Sequence, residues 1–177
     1  YDGTLADVFA LQDQVTAKIV SALSLRLTET ERTLLARKGT GNAKAHDAFL
    51  KGWRLIQHES LENFVAARPY LEEAVRLDPG YGRAHAALAR LYYDSATLDR
   101  LWYSELRFLF ASDAVARADS HIRLSLQDPT AYAHAVKGYM LRRGGNYEAS
   151  LVEFEHALRL NPNDADALIL FADVLYY

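Results

Sequence analysis

The side chains that could carry chemistry are spaced in a way that excludes most of it. Six histidines are present: His46, His58, His85, His121, His134 and His156. A zinc site of the His-Glu-x-x-His kind needs two imidazoles one helical turn apart, and no two of these lie three or four positions apart. There is no cysteine, which removes disulfides and thiolate-held metals. No glycine-rich phosphate loop is present. Serines and carboxylates lack the strand–turn–helix setting that exposes an activated nucleophile. The sequence therefore assigns no catalytic, cofactor-binding or metal-ligating residue, and each histidine reads as a packing or surface residue. What is left is recognition. Arginine forks grip carboxylates and tyrosines pack peptide side chains, provided that helices bring them to one face.

The stretch Ala131 to Pro162 defines those helices. Apolar residues fall at Ala131, Ala135, Val136, Tyr139 and Met140, and again at Leu151, Phe154, Ala157, Leu158 and Leu160. Steps of three and four put each set on one helical face. Gly144 and Gly145 end the first helix, since glycine reaches a left-handed conformation at little cost. Pro162 lacks the N–H that a continuing helix needs. The unit is a helical hairpin of about 34 residues. Small residues, Gly138, Ser150 and Ala157, sit where the two helices cross.

These residues resemble a tetratricopeptide repeat. Gly138, Gly145 with Tyr147, Ser150, Phe154, Ala157 and Pro162 stand at the family's offsets, while His134 takes the place of its tryptophan. The resemblance implies an all-α fold, a right-handed superhelix of helical hairpins, and a binding role. Repeats are expected at about 44–79, 82–129 and 131–162, with a half repeat at 165–177, inside a repeat region 43–177. Pro69 falls inside the second helix of the first repeat. Because proline removes a backbone bond at a cost of about 3 kcal/mol, an irregular or kinked start is expected around Val65 to Pro69. About 16 surplus residues in the second repeat are placed within Asp94 to Ser112. Trp102, Tyr103, Phe108 and Phe110 make that insertion too apolar for a solvated loop, so it reads as helical turns packed on the stack or as a contact surface for an upstream domain or a partner.

Residues 1–42 form an N-terminal helical connector. Leu5, Val8, Phe9, Leu11, Val15, Ile19, Leu23 and Leu27 follow a helical period, and Gly39 to Asn42 reads as a flexible break. The string from Leu5 to Thr28 resembles a connecting helix of bacterial multidomain signalling proteins. Many of those carry a class III adenylate or guanylate cyclase domain upstream, and others carry a winged-helix DNA-binding domain. Asp94, Asp99 and Asp113 are not the metal-binding aspartates of a cyclase, whose β-rich catalytic domain has no counterpart here. The start at Tyr1 and the end inside an apolar pattern point to a piece of a longer protein.

Half of the residues are apolar and the net charge is −3, so no basic field points to nucleic acid. No uncharged apolar run approaches the roughly 20 residues needed to span a bilayer. The absence of cysteine suits the cytoplasm. Carried over by offset, the inner groove implied by the resemblance holds Trp53, Arg83, Arg90, Tyr93, Tyr132, Tyr139, Arg142 and Arg143. His46, Phe49 and Leu50 join them from the first repeat. This mixture of arginine and aromatic rings implies a protein or peptide partner with acidic and apolar residues. The reading is a non-catalytic interaction scaffold within a cyclase-type signalling protein; the alternative is the effector arm of a winged-helix transcription regulator. The half repeat at 165–177 leaves apolar surface at its end, for which a homodimer contact or the next helix of the parent protein is expected.

Overall fold

The computed structural model describes residues 39–58, 60–97 and 113–175, with positions 14, 15 and 18 besides. Among the described residues seven helices are delimited: α1 (Ala43–Ile56), α2 (Leu61–Leu77), α3 (Gly82–Thr97), α4 (Ala114–Ser125), α5 (Ala131–Arg143), α6 (Tyr147–Leu160) and α7 (Ala165–Leu175). No strand occurs among these residues, and no described helix is long and apolar enough to cross a membrane. The expected connector falls outside the described residues except for 39–42 and the three helical positions 14, 15 and 18. The expected insertion lies outside them from 98 to 112.

Five of the seven described helices start at a short polar side chain that takes over orphaned backbone N–H groups. Asn42 accepts from the N–H of Lys44 and Ala45, Ser60 from Asn63, Thr130 from Ala133, Asn146 from Ala149, and Asp164 from Ala167. Gly145 alone supplies the left-handed turn after α5, at φ +85°; Gly144 stays in the right-handed region.

Three hairpins, α1–α2, α3–α4 and α5–α6, follow in chain order, and α7 packs on α5 and α6. Their seams repeat one device. A Cβ added at Gly52 would lie 2.8 Å from Cγ of Leu71, and one added at Gly138 would lie 2.8 Å from the Phe154 ring. Leu71 and Phe154 are both buried, flanked by buried Ala67 and Ala74 in one hairpin and Ser150 and Ala157 in the other. The absence of a side chain on the first helix admits a large one from the second, so the backbones approach closely. Ala89, Ala118, Ile122 and Ser125 are buried at the corresponding offsets of the middle hairpin.

Helices α1, α3, α5 and α7 touch one another in sequence, whereas α2, α4 and α6 do not touch each other. The stack therefore curves with the odd-numbered helices inside.

Two local expectations are corrected. Helix α2 runs unbroken from Ser60 through Pro69 to Leu77, so no irregular start exists at Val65–Pro69. Pro69 is exposed, so the Val65 carbonyl left without its donor lies on the outer side of α2, where water can bond it. Gly39 to Asn42 is not a loose break. Thr40 is buried and donates its hydroxyl to Asp78, while Asn42 donates through Nδ2 to the Leu77 carbonyl at 2.8 Å. The first hairpin is thus tied shut at its open end.

At α7, Ala167 and Leu170 are buried and the Phe171 ring lies 5.1 Å from that of Phe154. Leu168 and Ile169 are 42% and 62% exposed.

The seam makes an unusual demand of a helix. Gly→Ala normally favours a helix by about 1 kcal/mol. At Gly138 the added methyl meets a ring that has no room to retreat, and overpacking costs about 1–3 kcal/mol. Gly138→Ala should lower stability in urea unfolding, and Gly138→Ala with Phe154→Leu should recover part of the loss relative to Phe154→Leu alone.

Candidate functional site

All eight groove residues expected from the sequence lie on the inner helices: Trp53 on α1; Arg83, Arg90 and Tyr93 on α3; Tyr132, Tyr139, Arg142 and Arg143 on α5. The structure brings most of them together, but largely with one another. Tyr132 is fully buried, and Tyr139 and Tyr93 are 7% and 8% exposed. The Tyr139 hydroxyl donates to Asp94 at 2.7 Å, and Arg90 Nε stands 3.4 Å from the other oxygen of the same buried carboxylate. The Tyr93 hydroxyl donates to the Met140 carbonyl at 3.0 Å. Burial first, then the Asp94 charge, pushes the Tyr139 phenol far above its ordinary value. These tyrosines pin α3 to α5 rather than lining an open surface. Arg143 lies on the Tyr139 ring, 5.6 Å from its centre, and is exposed.

Arg83 is the hub of the inner face. Its guanidinium stands 5.1 Å over Trp53 and 5.4 Å over Tyr132, whose rings meet edge to face at 4.9 Å. It also pairs with Asp166 at 2.5 Å and Asp164 at 3.8 Å. One guanidinium thus serves two carboxylates. The Asp166 carboxyl is raised above its ordinary value: burial outweighs the help of Arg83, and the nearby Asp164 charge adds to the rise.

Beside this hub opens a pocket of about 380 Å³. It forms where α1, the start of α3, the α4–α5 turn and the α6–α7 turn converge. Phe49, Trp53 and Tyr81 supply aromatic walls, Leu50 an exposed apolar lip, and Arg83, Asp128 and Asp164 charge. His46, whose Nδ1 lies 3.2 Å from the Tyr81 hydroxyl, is lowered by burial and stays neutral at pH 7. Size and lining match a socket for one or two side chains.

Of the eight expected residues, Trp53 and Arg83 line the pocket, with His46, Phe49 and Leu50 from the same reading. Sequence reasoning missed Tyr81, Asn161 and Asp164, which precede inner helices. Their signal was the recurring close of each hairpin, Asp78-Pro79 and Asn161-Pro162, followed by a cap three residues before Ala167.

Two histidine pairings also escaped the sequence. His134 bonds Glu153 at 2.7 Å across the α5–α6 seam, with Lys137 on the other oxygen, a polar pin in place of a packed tryptophan. His85 and His121 meet Nδ1 to Nδ1 at 2.9 Å. His85 Nε2 lies 2.9 Å from the Pro79 carbonyl, which can only accept, so that nitrogen carries the hydrogen. Neutral His85 then accepts at Nδ1 from His121. The Tyr92 ring stacks on His121 at 5.7 Å. Among the described residues no group of three or more such side chains could hold a metal ion.

Residues 131–164 match the family model for the tetratricopeptide repeat. A protein of Rhizobium meliloti (strain 1021) named "Putative adenylate cyclase 3" is 35% identical over 89 residues, 50% of this chain. The chain spans 15% of that relative's length over the match. No solved structure matches it. The chain thus carries a tetratricopeptide repeat region and is similar to an adenylate cyclase-type protein. Such repeats are non-catalytic units that build interaction scaffolds.

The histidine pair gives the fold an acid limit. Burial, His85 and the Arg117 charge lower His121 from the ordinary 6.5 to about 4, against a small opposing pull from Glu72. Burial also lowers His85. The unfolded chain takes up these protons first, so their contribution is intact above pH 6.5 and is lost as pH falls towards about 4. His121→Gln, which keeps a donor, should flatten that part of the stability profile in urea unfolding at pH 7.5 and pH 5.

Proposed function

We propose that this chain is the interaction arm of a class III nucleotide cyclase-type bacterial signalling protein, with the chemistry carried elsewhere in the parent protein. The name of the Rhizobium relative supports the cyclase-type context. The observation that carries the binding role is the pocket of about 380 Å³ on the inner face, walled by Phe49, Trp53 and Tyr81. An extended protein segment lies along the inner helices and anchors one side chain there. Anchor residues seated in preformed sockets dominate peptide recognition energetics.

Selection of random dodecapeptides on the purified chain tests this directly. Leu50 is 48% exposed, so Leu50→Ser changes the pocket lip without opening the core. Bound peptides should lose about tenfold in affinity, roughly 1.4 kcal/mol, on Leu50→Ser or Trp53→Ala at unchanged helicity. Unaltered affinity on both variants would remove the pocket from the binding site. The chain alone should release no cyclic nucleotide from ATP or GTP, and turnover would overturn the non-catalytic assignment.

The exposure of Leu168 and Ile169 on α7 supports pairing with a second copy. Sedimentation should show a dimer that Ile169→Glu dissociates; a monomer at high concentration refutes it.

A further inference from the structure

The sequence pattern, rich in groove arginines, favours an acidic occupant. The geometry points to the opposite sign: we infer that the inner-face pocket takes a lysine or arginine side chain of the docked segment, held between the Asp164 edge and the aromatic walls. This rests on the docking role proposed above and adds the charge of the partner to it.

Two independent observations support it. The first is the arithmetic of charge around Arg83. Its guanidinium is shared between Asp164 and Asp166, and among the described residues it is the Lys or Arg side chain that lines the pocket. His46 adds no positive charge at neutral pH, because burial holds it neutral. An incoming carboxylate would have to displace one of two carboxylates already on Arg83 and would face the other. An incoming cation meets a site where carboxylates outnumber guanidinium. In a partly desolvated pocket that difference is screened less than on open surface.

The second observation is that this corner already accommodates a guanidinium. Arg83 stacks over Trp53 and Tyr132 while bonding carboxylate oxygen. The pocket continues from the same Trp53 ring to Phe49 and Tyr81, with centroids of Phe49 at 5.5 Å from Trp53 and 5.1 Å from Tyr81. Phe49 and Tyr81 are 3% and 1% exposed, so this wall packs the aliphatic stem of an incoming lysine or arginine beside Leu50, and the cationic head lies at the Asp164 edge.

The dodecapeptide selection reads the sign, since the peptides themselves are the probe. Bound sequences should be enriched in Lys and Arg and depleted in Asp and Glu. Their affinity should fall with added salt. Asp164→Asn is the decisive variant: asparagine still accepts the Ala167 N–H as helix cap, so the fold keeps its start while one charge is lost. Cationic peptides should bind it about fivefold more weakly. Peptides that need Leu50 and Trp53 but are acidic or uncharged would overturn this inference and leave the docking role standing. Cationic peptides indifferent to Asp164→Asn would also overturn it. Selection of nothing would overturn both.

Discussion

Two helices of this chain can lie close only where one of them gives up its side chain. Gly52 and Gly138 do so, and the space is filled by Leu71 and Phe154 from the facing helix. Every later feature inherits its position from that approach. Because the outer helices are drawn tightly against the inner ones, the inner ones reach each other, and α3 can bond α5 through Asp94 and Tyr139. Ser150 shows how finely the seam is set: fully buried, it donates its hydroxyl back to the Gly138 carbonyl at 2.8 Å. Buried Asp94, Ser95, Ser125 and Ser150 are each paired, as burial requires.

The inner face is mostly self-engaged. A groove read from offsets alone assumes that side chains pointing inward remain available. Here the curvature is tight enough that they find one another first. Tyr132 disappears beneath Arg83 and Trp53; Tyr93 and Tyr139 become bolts between helices. What stays accessible is the end of the face where the inner helices begin. There the loops closing each hairpin add Tyr81, Asn161 and Asp164 to the walls.

The fold was legible because its causes are local. Periodic apolar residues, small residues at crossings and prolines after each hairpin are all written in the chain order. The middle hairpin's second helix runs Ala114–Ser125, inside the repeat expected at about 82–129. Pro69 misled because the cost of an interior proline depends on which way the orphaned carbonyl faces, and the pattern does not state that. The candidate site was only half legible. Residue type placed Trp53 and Arg83 on the right face, but the availability of the Arg83 charge was decided by Asp164 and Asp166, some eighty positions further on. The meeting of His85 with His121 was hidden for the same reason.

A solenoid bound only through adjacent units can gain or lose one of them by duplication or deletion without disturbing the remainder. The Trp53–Tyr132 contact, bridged by Arg83, joins the first hairpin to the third across the second. Copying the middle unit would pull those rings apart and strand the guanidinium. The number of units between Trp53 and Asp166 is therefore constrained by the architecture itself.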